Sequence, residues 1–328
     1  MGRNALLQQI KTIKDEDFTS LALAVFRYQA ENNPIYAQFL SLLQIKQAQV
    51  QRLTDIPFLP ISLFKQYSIQ SGQWAASRTF SSSGTTGNIT SKHLLRDDLF
   101  YHENARKGFK QFYGSIKNYT VLALLPSYLE RNGSSLIFMV QDFIEQSEDN
   151  KSGFFLHNQE DLIQRIDQCQ KEGRKILLLG VSFALLDLAE KHPKAFSNTI
   201  VMETGGMKGK RKEITRDALH SILKKAFDQS TIHSEYGMTE LLSQAYSKGD
   251  GLFYPSTTMR VMTRELTDPL SATLSGKTGA INIIDLANID TISFIATDDL
   301  GIVNRDNSFR ILGRLDVSDI RGCNLMVE

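Results

Sequence analysis

Strand-like and helix-like segments alternate through the middle of this chain. Strand-like runs predict strands at 119–125, 153–156, 175–181, 198–203 and 231–236. Amphipathic periodicity predicts helices at 134–146, 159–172, 183–191 and 215–227. Strands and helices in alternation favour a largely parallel sheet that is flanked by helices. The chain is therefore predicted to have an α/β fold.

The two ends of the chain differ from this middle. Near the N-terminus, Asp15 or Asp17 is placed to cap a helix with one apolar face, and Asn33-Pro34 ends that helix and starts another. Two prolines predict an irregular packed loop at 56–65. Towards the C-terminus, short strand-like runs predict a small antiparallel sheet or barrel, at 257–264, 279–286, 292–296 and 309–312.

Composition and charge narrow the class of protein. The chain has 328 residues and a formal net charge of +1, so it can bury a large core and shows no basic excess that would point to nucleic acid. No apolar run reaches about 18 residues, so no transmembrane helix is predicted. The N-terminus also lacks the apolar core of a signal peptide. The two cysteines, Cys169 and Cys323, fit a reducing cytoplasm rather than a disulfide framework.

A loop rich in Ser, Thr and Gly follows the N-terminal part of the chain. Such loops leave backbone N–H groups uncovered and can fold into concave nests that attract phosphate. Lys92 adds a positive charge just beyond it, and His93 either lines the mouth of a substrate site or has a structural or surface role. An ordinary surface turn is the alternative. The candidate phosphate-binding residues are Ser82, Ser83, Gly84, Thr85, Thr86, Gly87 and Lys92.

A second motif, Tyr-Gly-Met-Thr-Glu, begins at Tyr236. Tyr236 is suited to stack on a base, which is typically worth about 1–3 kcal/mol. Thr239 is suited to hydrogen-bond a phosphate, and Glu240 to hold Mg²⁺ through oxygen. His233, just before the motif, is a candidate contact for a substrate carboxylate, with a core position as the alternative. By itself the motif consists of five common residues and is weak evidence for a nucleotide-binding site.

Two further sequence features, a diglycine and a pair of motifs with charged residues, are candidates for holding a nucleoside. Gly205 and Gly206 follow a predicted buried strand, where a flat ligand can approach the backbone. A tight turn is the alternative. Thr297-Asp-Asp-Leu-Gly301 and Gly313-Arg-Leu-Asp316 contain carboxylates and an arginine that suit the hydroxyls of a ribose. An acidic hairpin turn is the alternative there.

The order and spacing of these motifs resemble those of the adenylate-forming superfamily, which comprises acyl-CoA synthetases, luciferases and peptide-synthetase adenylation domains. That family combines a Ser/Thr/Gly phosphate loop closed by Lys with a Gly-Gly strand, Tyr-Gly-x-Thr-Glu, Thr-Gly-Asp and Gly-Arg-x-Asp. In this chain the corresponding residues are 82–92, 205–206, 236–240, 297–299 and 313–316. Five motifs in the same order are far more specific than any one of them.

Within this superfamily the chain is most similar to the acyl-protein synthetase (LuxE-type) branch, the fatty-acid-activating component of bacterial fatty acid reductase. The narrower match rests on Phe-Leu-Pro-Ile-Ser-x-Phe-Lys, Ser-Lys-His, Leu-Leu-Pro-Ser-Tyr-Leu-Glu-Arg and a terminal Arg-Gly-Cys-Asn. The resemblance covers roughly residues 55–328. The branch implies a fatty acid as the substrate and an acyl-reductase or acyl-carrier partner.

The resemblance implies a reaction in which a carboxylate attacks the α-phosphate of ATP. The products are acyl-AMP and pyrophosphate, and the acyl group then passes to a thiol. It implies that residues 82–87 and Lys92 cradle the β- and γ-phosphates. Thr239 would bind the α-phosphate, and Glu240 would hold Mg²⁺.

The resemblance also implies how the nucleoside is held. Tyr236 and the Gly205-Gly206 pair would sandwich the adenine. Asp299 would bind the ribose, and Asp298 is the alternative if the register is off by one. These roles are carried over from the family motifs, position by position.

Most members of the superfamily have a mobile C-terminal domain with a lysine that promotes adenylation. Here the chain stops shortly after Asp316, and no lysine follows Lys277. We therefore expect the fold of the N-terminal domain of these enzymes, with the mobile C-terminal domain absent. Adenylation would then rely on Lys92, Arg314, Arg321 or a partner protein.

In the acyl-protein synthetases the activated acyl group is held as a thioester on a cysteine near the C-terminus. Cys323 is the corresponding residue here. Arg321 would lower the pKa of its thiol and favour the nucleophilic thiolate. The alternative is a small buried residue, which is what the helical setting of Cys169 predicts.

Three functions therefore remain open. The first is an ATP-dependent acyl-protein synthetase, the second an acid–CoA ligase that does not need Cys323, and the third a catalytically idle nucleotide- or acyl-binding subunit. In each case we expect an N-terminal helical segment packed on the core (1–54), an α/β nucleotide-binding core (55–250) and a β-rich subdomain with a short C-terminal tail (251–328).

Overall fold

The computed structural model describes residues 1–82, 90–126, 133–156, 158–206 and 211–315. Its contacts divide the chain into two compact units. Unit 1 consists of Met1–Ala75 and the described residues from Thr257 onward, and unit 2 is Ala76–Ser256. Among the described helices, none is both long and apolar enough to cross a membrane.

The described ranges contain eight α-helices and fourteen strands. The helices are α1 (Arg3–Lys11), α2 (Phe18–Asn32), α3 (Pro34–Leu42), α4 (Asp98–Tyr113), α5 (Ser135–Gln146), α6 (Gln159–Lys171), α7 (Ser182–Lys191) and α8 (Arg216–Phe227). The strands are β1 (Leu59–Pro60), β2 (Arg78–Ser81), β3 (Lys92–Leu95), β4 (Thr120–Leu124), β5 (Gly153–Phe155), β6 (Ile176–Val181), β7 (Thr199–Thr204), β8 (His233–Tyr236), β9 (Ala245–Ser247), β10 (Phe253–Pro255), β11 (Met259–Arg264), β12 (Thr278–Asp285), β13 (Phe294–Val303) and β14 (Phe309–Arg314).

The main sheet of unit 2 has the strand order β10-β9-β8-β7-β6-β4-β5. Strands β4 to β8 are parallel, and β9 and β10 continue the sheet in antiparallel pairs. The central strands β4 and β6 are buried along their whole length, which is why they appear in the sequence as unbroken apolar runs. Helices α5, α6 and α7 pack on β4, β5 and β6. The predicted α/β fold with a mostly parallel sheet is confirmed.

Capping residues mark most of the helix starts in unit 2. The side chains of Asp97, Ser134, Asn158 and Thr215 each accept a hydrogen bond from a backbone N–H in the first turn of α4, α5, α6 and α8. Helix α7 is different, because it begins directly after β6 with Ser182 as its first residue. This sharp connection keeps Ser182 at the carboxyl end of the sheet.

Two features of unit 2 differ from the sequence prediction. Strands β9 and β10 have three residues each, which is too short for an alternating pattern to be visible in the sequence. Strands β2 and β3 form an antiparallel hairpin on both sides of the Ser/Thr/Gly-rich loop, where the sequence predicts only a loop. The loop is therefore held between two paired strands.

Unit 1 contains an antiparallel sheet in the order β11-β12-β13-β14, with the short β1 paired in parallel to β13. The ring of Phe294 on β13 lies 6.1 Å from Phe26 of α2 and 6.2 Å from Tyr36 of α3, measured between centroids. Gln29, buried on α2, donates to the carbonyl oxygen of Asn288 (2.9 Å). The N-terminal helices and the C-terminal strands therefore share one core.

This shared core groups residues that are far apart in the chain. The three consecutive segments predicted from the sequence, 1–54, 55–250 and 251–328, stay a prediction. Around the first helices, the side chain of Asn33 caps α3 by accepting from the Tyr36 N–H, whereas Asp17 precedes α2 without a side-chain cap. The predicted irregular loop contains β1 and a short 3-10 helix, Ile61–Lys65.

Candidate nucleotide-binding site

The β2–β3 hairpin of unit 2 closes the base of the Ser/Thr/Gly-rich loop. Ser81 and Lys92 are direct partners in the antiparallel pair. Beyond them, the Ser82 N–H donates to the Ser91 carbonyl (3.1 Å), and the Ser91 N–H donates to Ser82 Oγ (2.9 Å). Lys92 is exposed. The predicted loop residues that lie outside the described ranges are Ser83, Gly84, Thr85, Thr86 and Gly87.

His93 links this hairpin to the Tyr-Gly-Met-Thr-Glu motif. Its side chain is buried, and its Nδ1 lies 2.8 Å from the carbonyl oxygen of Thr239. Because a carbonyl oxygen only accepts, Nδ1 carries a proton and donates it. Burial lowers the pKa of His93 to about 4, although the bond to Thr239 opposes this shift, so the ring is uncharged at neutral pH. The hydrogen bond holds β3, which begins with Lys92, against Thr239.

Tyr236, Thr239 and Glu240 lie at the carboxyl end of β8. Tyr236 is the last residue of the strand, and its ring packs against Phe253 with 5.8 Å between centroids. Thr239 is half-buried, and Glu240 is buried. In open α/β sheets, ligands bind at the carboxyl ends of the parallel strands. The structure thus brings the three predicted residues together at the edge where a ligand is expected.

The diglycine follows the neighbouring parallel strand β7. Gly205 has a φ of +69°, a conformation that glycine adopts without strain, and both glycines are exposed. Ser182 Oγ donates to the Gly205 carbonyl (2.8 Å) and so fixes the turn. A Cβ atom added at Gly206 would meet none of the described residues within 4 Å, so its backbone is open to a ligand on that side.

A buried carboxylate that the sequence analysis did not single out lies two residues before Gly205. Glu203 is only 2% exposed. Arg216 Nε donates to its Oε1 (3.1 Å), and His220 Nε2 lies 3.5 Å from the same oxygen. Burial raises the pKa of Glu203, but the hydrogen bond from His220 and the charge of Arg216 outweigh burial, and the pKa is lowered. Glu203 is therefore ionised at neutral pH.

Glu235, just before Tyr236, is a second buried carboxylate that the sequence analysis missed. Thr204 Oγ1 donates to its Oε2 (2.5 Å). Burial and, to a smaller extent, the nearby charge of Glu203 raise the pKa of Glu235 to about 7, although the bond from Thr204 opposes them. A Cβ atom at Gly237 would lie 2.5 Å from Glu235 Oε1, so the glycine of the motif leaves room for this carboxyl group.

His233 lies at the opposite end of β8 from Tyr236. Its Nδ1 is 3.1 Å from the hydroxyl of Tyr113, and their rings are in contact. Burial lowers the pKa of His233 to about 4, and the charge of Lys248 lowers it further. The structure therefore places His233 in a packed setting, away from the strand end that carries the predicted site.

In unit 1, Asp299 on β13 is directly opposite Arg314 on β14. Asp299 is buried, and Arg314 Nε lies 3.4 Å from its Oδ1. The Arg314 side chain is 80% exposed, so this ion pair adds little stability and leaves the guanidinium in solvent. Asp298, the alternative ribose ligand, is exposed.

Asp316, Arg321 and Cys323 lie outside the described residues. Cys169 is buried on α6, and burial raises the pKa of its thiol, which agrees with the structural position expected for it.

Within the part of the chain that the structure describes, no group of three or more His, Cys, Asp or Glu side chains is arranged to hold a metal ion. Mg²⁺ needs fewer protein ligands than this, because it is usually held by one or two carboxylates together with water and substrate phosphates. Glu240 is one buried carboxylate at the strand end, and it fits this mode of binding.

The fold defined by these elements is that of acid–CoA ligases. The chain is similar to 2-hydroxyisobutyryl-CoA ligase (HCL) in complex with 2-HIB-AMP and CoA, with a TM-score of 0.70 and 13% identity over 94% of this chain and 71% of that one. It is also similar to ATP-bound MatB from Rhodopseudomonas palustris (TM-score 0.53, 15% identity, 72% and 47%). A third similar structure is the long-chain-fatty-acid-CoA ligase FadD1 from Archaeoglobus fulgidus (TM-score 0.51, 15% identity, 75% and 52%).

No protein-family model matches the sequence, and no curated protein matches it. The chain spans about half the length of MatB, of which it covers 47%, and of FadD1, of which it covers 52%. Identities of 13% to 15% establish the shared fold.

Proposed function

We propose that the protein uses ATP to activate a carboxylic acid as acyl-AMP, with release of pyrophosphate, and then transfers the acyl group to a thiol. The hydrogen bond from His93 to Thr239 carries this proposal. It joins the base of a Ser/Thr/Gly-rich loop to a Thr-Glu pair at the end of a parallel strand. ATP-bound MatB has the same fold, which supports the use of ATP.

The proposed reaction brings an anionic carboxylate to an anionic phosphate, so it needs positive charge and N–H dipoles that are already in place. Residues 82–87 and Lys92 would bind the β- and γ-phosphates, and Thr239 would donate to the α-phosphate. Lys92 is exposed and Thr239 is half-buried, so both are open to a ligand. Glu240 would hold Mg²⁺, which neutralises phosphate charge when it is bound.

The nucleoside contacts in this proposal are those that the family motifs assign. Tyr236 and the open backbone at Gly206 would contact the adenine from β8 and β7. Asp299 would accept the ribose hydroxyls, with Asp298 as the alternative. Arg314 is exposed beside Asp299 and can reach a phosphate in solvent.

For the second half of the reaction, we propose Cys323 as the first acyl acceptor and a fatty acid as the substrate. The Cys323 thiolate would attack the carbonyl carbon of acyl-AMP, a thioester would form, and AMP would leave. An acyl reductase or acyl carrier in the cytoplasm would then take the acyl group. This part of the proposal rests on the resemblance to the acyl-protein synthetases.

An acid–CoA ligase is the second candidate function. It is favoured by the similarity to 2-hydroxyisobutyryl-CoA ligase, which covers 94% of this chain. Such an enzyme would pass the acyl group from acyl-AMP to free coenzyme A. Cys323 would then be dispensable for turnover.

The test is to incubate the protein with Mg·ATP and radiolabelled fatty acids of several lengths, followed by a denaturing gel and intact mass. We expect a labelled protein adduct that hydroxylamine removes and that Cys323→Ser abolishes. Acyl-CoA production by Cys323→Ser at the wild-type rate would favour the ligase. Bound nucleotide without acyl-AMP, adduct or acyl-CoA for any acid would contradict both and leave an idle nucleotide-binding subunit.

The adenylation step can be tested separately in the Cys323→Ser protein. Lys92→Met removes the proposed phosphate contact, and Lys117→Met is the matched control, because Lys117 is an exposed lysine of unit 2 that pairs with Glu148. We expect Lys92→Met to slow acid-dependent pyrophosphate release about 100-fold, the scale seen when one pre-placed contact to a charged transition state is lost. Lys117→Met should behave like its parent.

A further inference from the structure

Arg216, the first residue of α8, contacts two neighbouring parts of unit 2. Its Nε donates to Glu203 Oε1 (3.1 Å), and its guanidinium lies 5.0 Å from the centroid of the Phe253 ring. The side chain is 28% exposed, so most of it is packed against the protein. A single guanidinium therefore ties strand β7 to strand β10.

Each of these contacts leads to a residue of the proposed adenine site. Glu203 lies two residues before Gly205, whose carbonyl accepts from Ser182 Oγ (2.8 Å); the same hydroxyl lies 3.3 Å from Glu203 Oε2. On the other side, the ring of Phe253 packs against the ring of Tyr236. The two surfaces between which the base would lie are thus connected through Arg216.

We propose that Arg216 is a positioning residue for the nucleotide, which holds the diglycine end of β7 and Tyr236 at the spacing that accepts an adenine ring. The inference rests on the proposed function and adds to it a residue that positions the two adenine-binding surfaces. Arg216 would touch neither the base nor the reacting atoms, and it would act through Glu203 and Phe253.

Arginine is suited to this task for a chemical reason. Its planar guanidinium can donate from its edge to a carboxylate while its face stacks on an aromatic ring. A lysine would supply the charge alone. Replacement by lysine should therefore keep the link to Glu203 and lose the link to Phe253.

The test measures the binding of ATP and of inorganic triphosphate, which has the phosphate chain but no base, by isothermal titration calorimetry. Arg211→Met is the matched control, because Arg211 also forms an ion pair with a glutamate, Glu190, which is exposed. We expect Arg216→Met to weaken ATP binding about tenfold, the scale of a lost base-stacking contact, and to leave the affinity for inorganic triphosphate unchanged. Arg216→Lys should show a smaller loss, and Arg211→Met none.

The ratio of the two affinities separates positioning from general damage. A protein that is only less stable would lose affinity for ATP and inorganic triphosphate by the same factor. If Arg216→Met does not fold, Phe253→Leu makes the same test, because it removes the stacked ring and leaves the ion pair to Glu203. An unchanged ratio of the affinities for ATP and inorganic triphosphate in these variants would overturn the inference, whatever the absolute affinities.

Failure of the proposed function would look different. If wild-type protein prefers ATP over inorganic triphosphate in a manner that depends on Arg216 but makes no acyl-AMP from any acid, the inference stands and the reaction is wrong. If it makes acyl-AMP and Arg216→Met keeps the full preference for ATP, the reaction stands and the inference is wrong. A wild-type protein that does not bind ATP would overturn both.

Discussion

Glu203 and Glu235 are buried on neighbouring parallel strands of unit 2, yet their pKa values shift in opposite directions. Glu203 faces Arg216 and His220, and its pKa is lowered. Glu235 accepts a hydrogen bond from Thr204, and its pKa is raised to about 7. The two glutamates are one position apart in register, because Thr204, the residue after Glu203, is the direct partner of Glu235.

The difference shows that burial does not by itself decide the charge of a carboxyl group at a strand end. Burial raises the pKa of both residues. Helix α8 contributes a guanidinium and an imidazole to Glu203, whereas Glu235 has the neutral hydroxyl of Thr204 and the like charge of Glu203. The two strands that lead to the proposed adenine site therefore carry one lasting negative charge and one that titrates near neutral pH.

The largest effect is expected from Glu235→Gln, and it depends on pH. Because the pKa of Glu235 is raised, the unfolded chain releases this proton at lower pH than the folded protein, so stability falls as pH rises from 4.5 to about 7. A shift from 4.5 to about 7 corresponds to about 3 kcal/mol. Glutamine does not ionise, so the free energy of unfolding of Glu235→Gln should rise relative to that of wild type by about this amount between about pH 4.5 and about pH 8. Urea unfolding at several pH values measures this difference.

Glu31→Gln, a change at an exposed glutamate of α2, is the control for Glu235→Gln. Its free energy of unfolding should follow that of wild type across the same pH range. If the difference between Glu235→Gln and wild type were the same at both ends of the range, Glu235 would be ionising at its ordinary pKa. The contrast with Glu203 would then be lost.

The next largest effect is expected from Glu203→Gln, with the opposite dependence on pH. The pKa of Glu203 is lowered, so its charge stabilises the fold above its ordinary pKa of 4.5, and this contribution is lost as pH falls through the lowered value. At neutral pH we expect a loss of about 2 kcal/mol, the scale of a hydrogen bond to a charged group. Urea unfolding at several pH values should show that the difference in free energy of unfolding between wild type and Glu203→Gln becomes smaller as the pH falls.

Glu190→Gln tests whether burial matters for the loss in Glu203→Gln. Glu190 pairs with Arg211 as Glu203 pairs with Arg216, but at the surface. Exposed pairs contribute little, so this variant should match wild type. Equal losses in Glu190→Gln and Glu203→Gln would contradict the account.

The smallest effect is expected from Thr204→Val, which keeps the shape of the side chain and removes the donor to Glu235. One neutral hydrogen bond contributes about 1 kcal/mol, and this is the loss we expect. The bond from Thr204 lowers the pKa of Glu235, so its removal should also move the midpoint of the Glu235-dependent pH profile upward. A midpoint that moved downward, or stayed in place, would show that Thr204 does not bond to the ionised form.

The sequence predicted the parts of the fold that depend on local patterns. Buried parallel strands show as apolar runs, and residues such as Thr215 mark the start of a helix. Contacts between distant residues leave no local trace. Gln29 and Asn288 are 259 positions apart, which is why the shared core of unit 1 was not predicted.

In the candidate site, too, local motifs could be predicted and contacts between distant residues could not. The diglycine follows β7 and Tyr236 ends β8, and the motifs predict a strand end for each, whereas the parallel pairing of the two strands was not predicted. The bond from His93 to Thr239 spans 146 positions, and the bond from Thr204 to Glu235 spans 31, so neither could be predicted. The available signal for Glu235 was a charged residue inside a short buried strand, directly before the tyrosine of the motif.

The most direct test of the central claim is acid-dependent exchange of labelled pyrophosphate into ATP, measured on wild type and His93→Phe with circular dichroism as a check of folding. Phenylalanine keeps a ring in place but removes the donor to Thr239. The account predicts exchange that requires a carboxylic acid, and a rate in folded His93→Phe that is lower by about tenfold or more. Absence of exchange with every acid, or a His93→Phe rate equal to that of wild type, would contradict it.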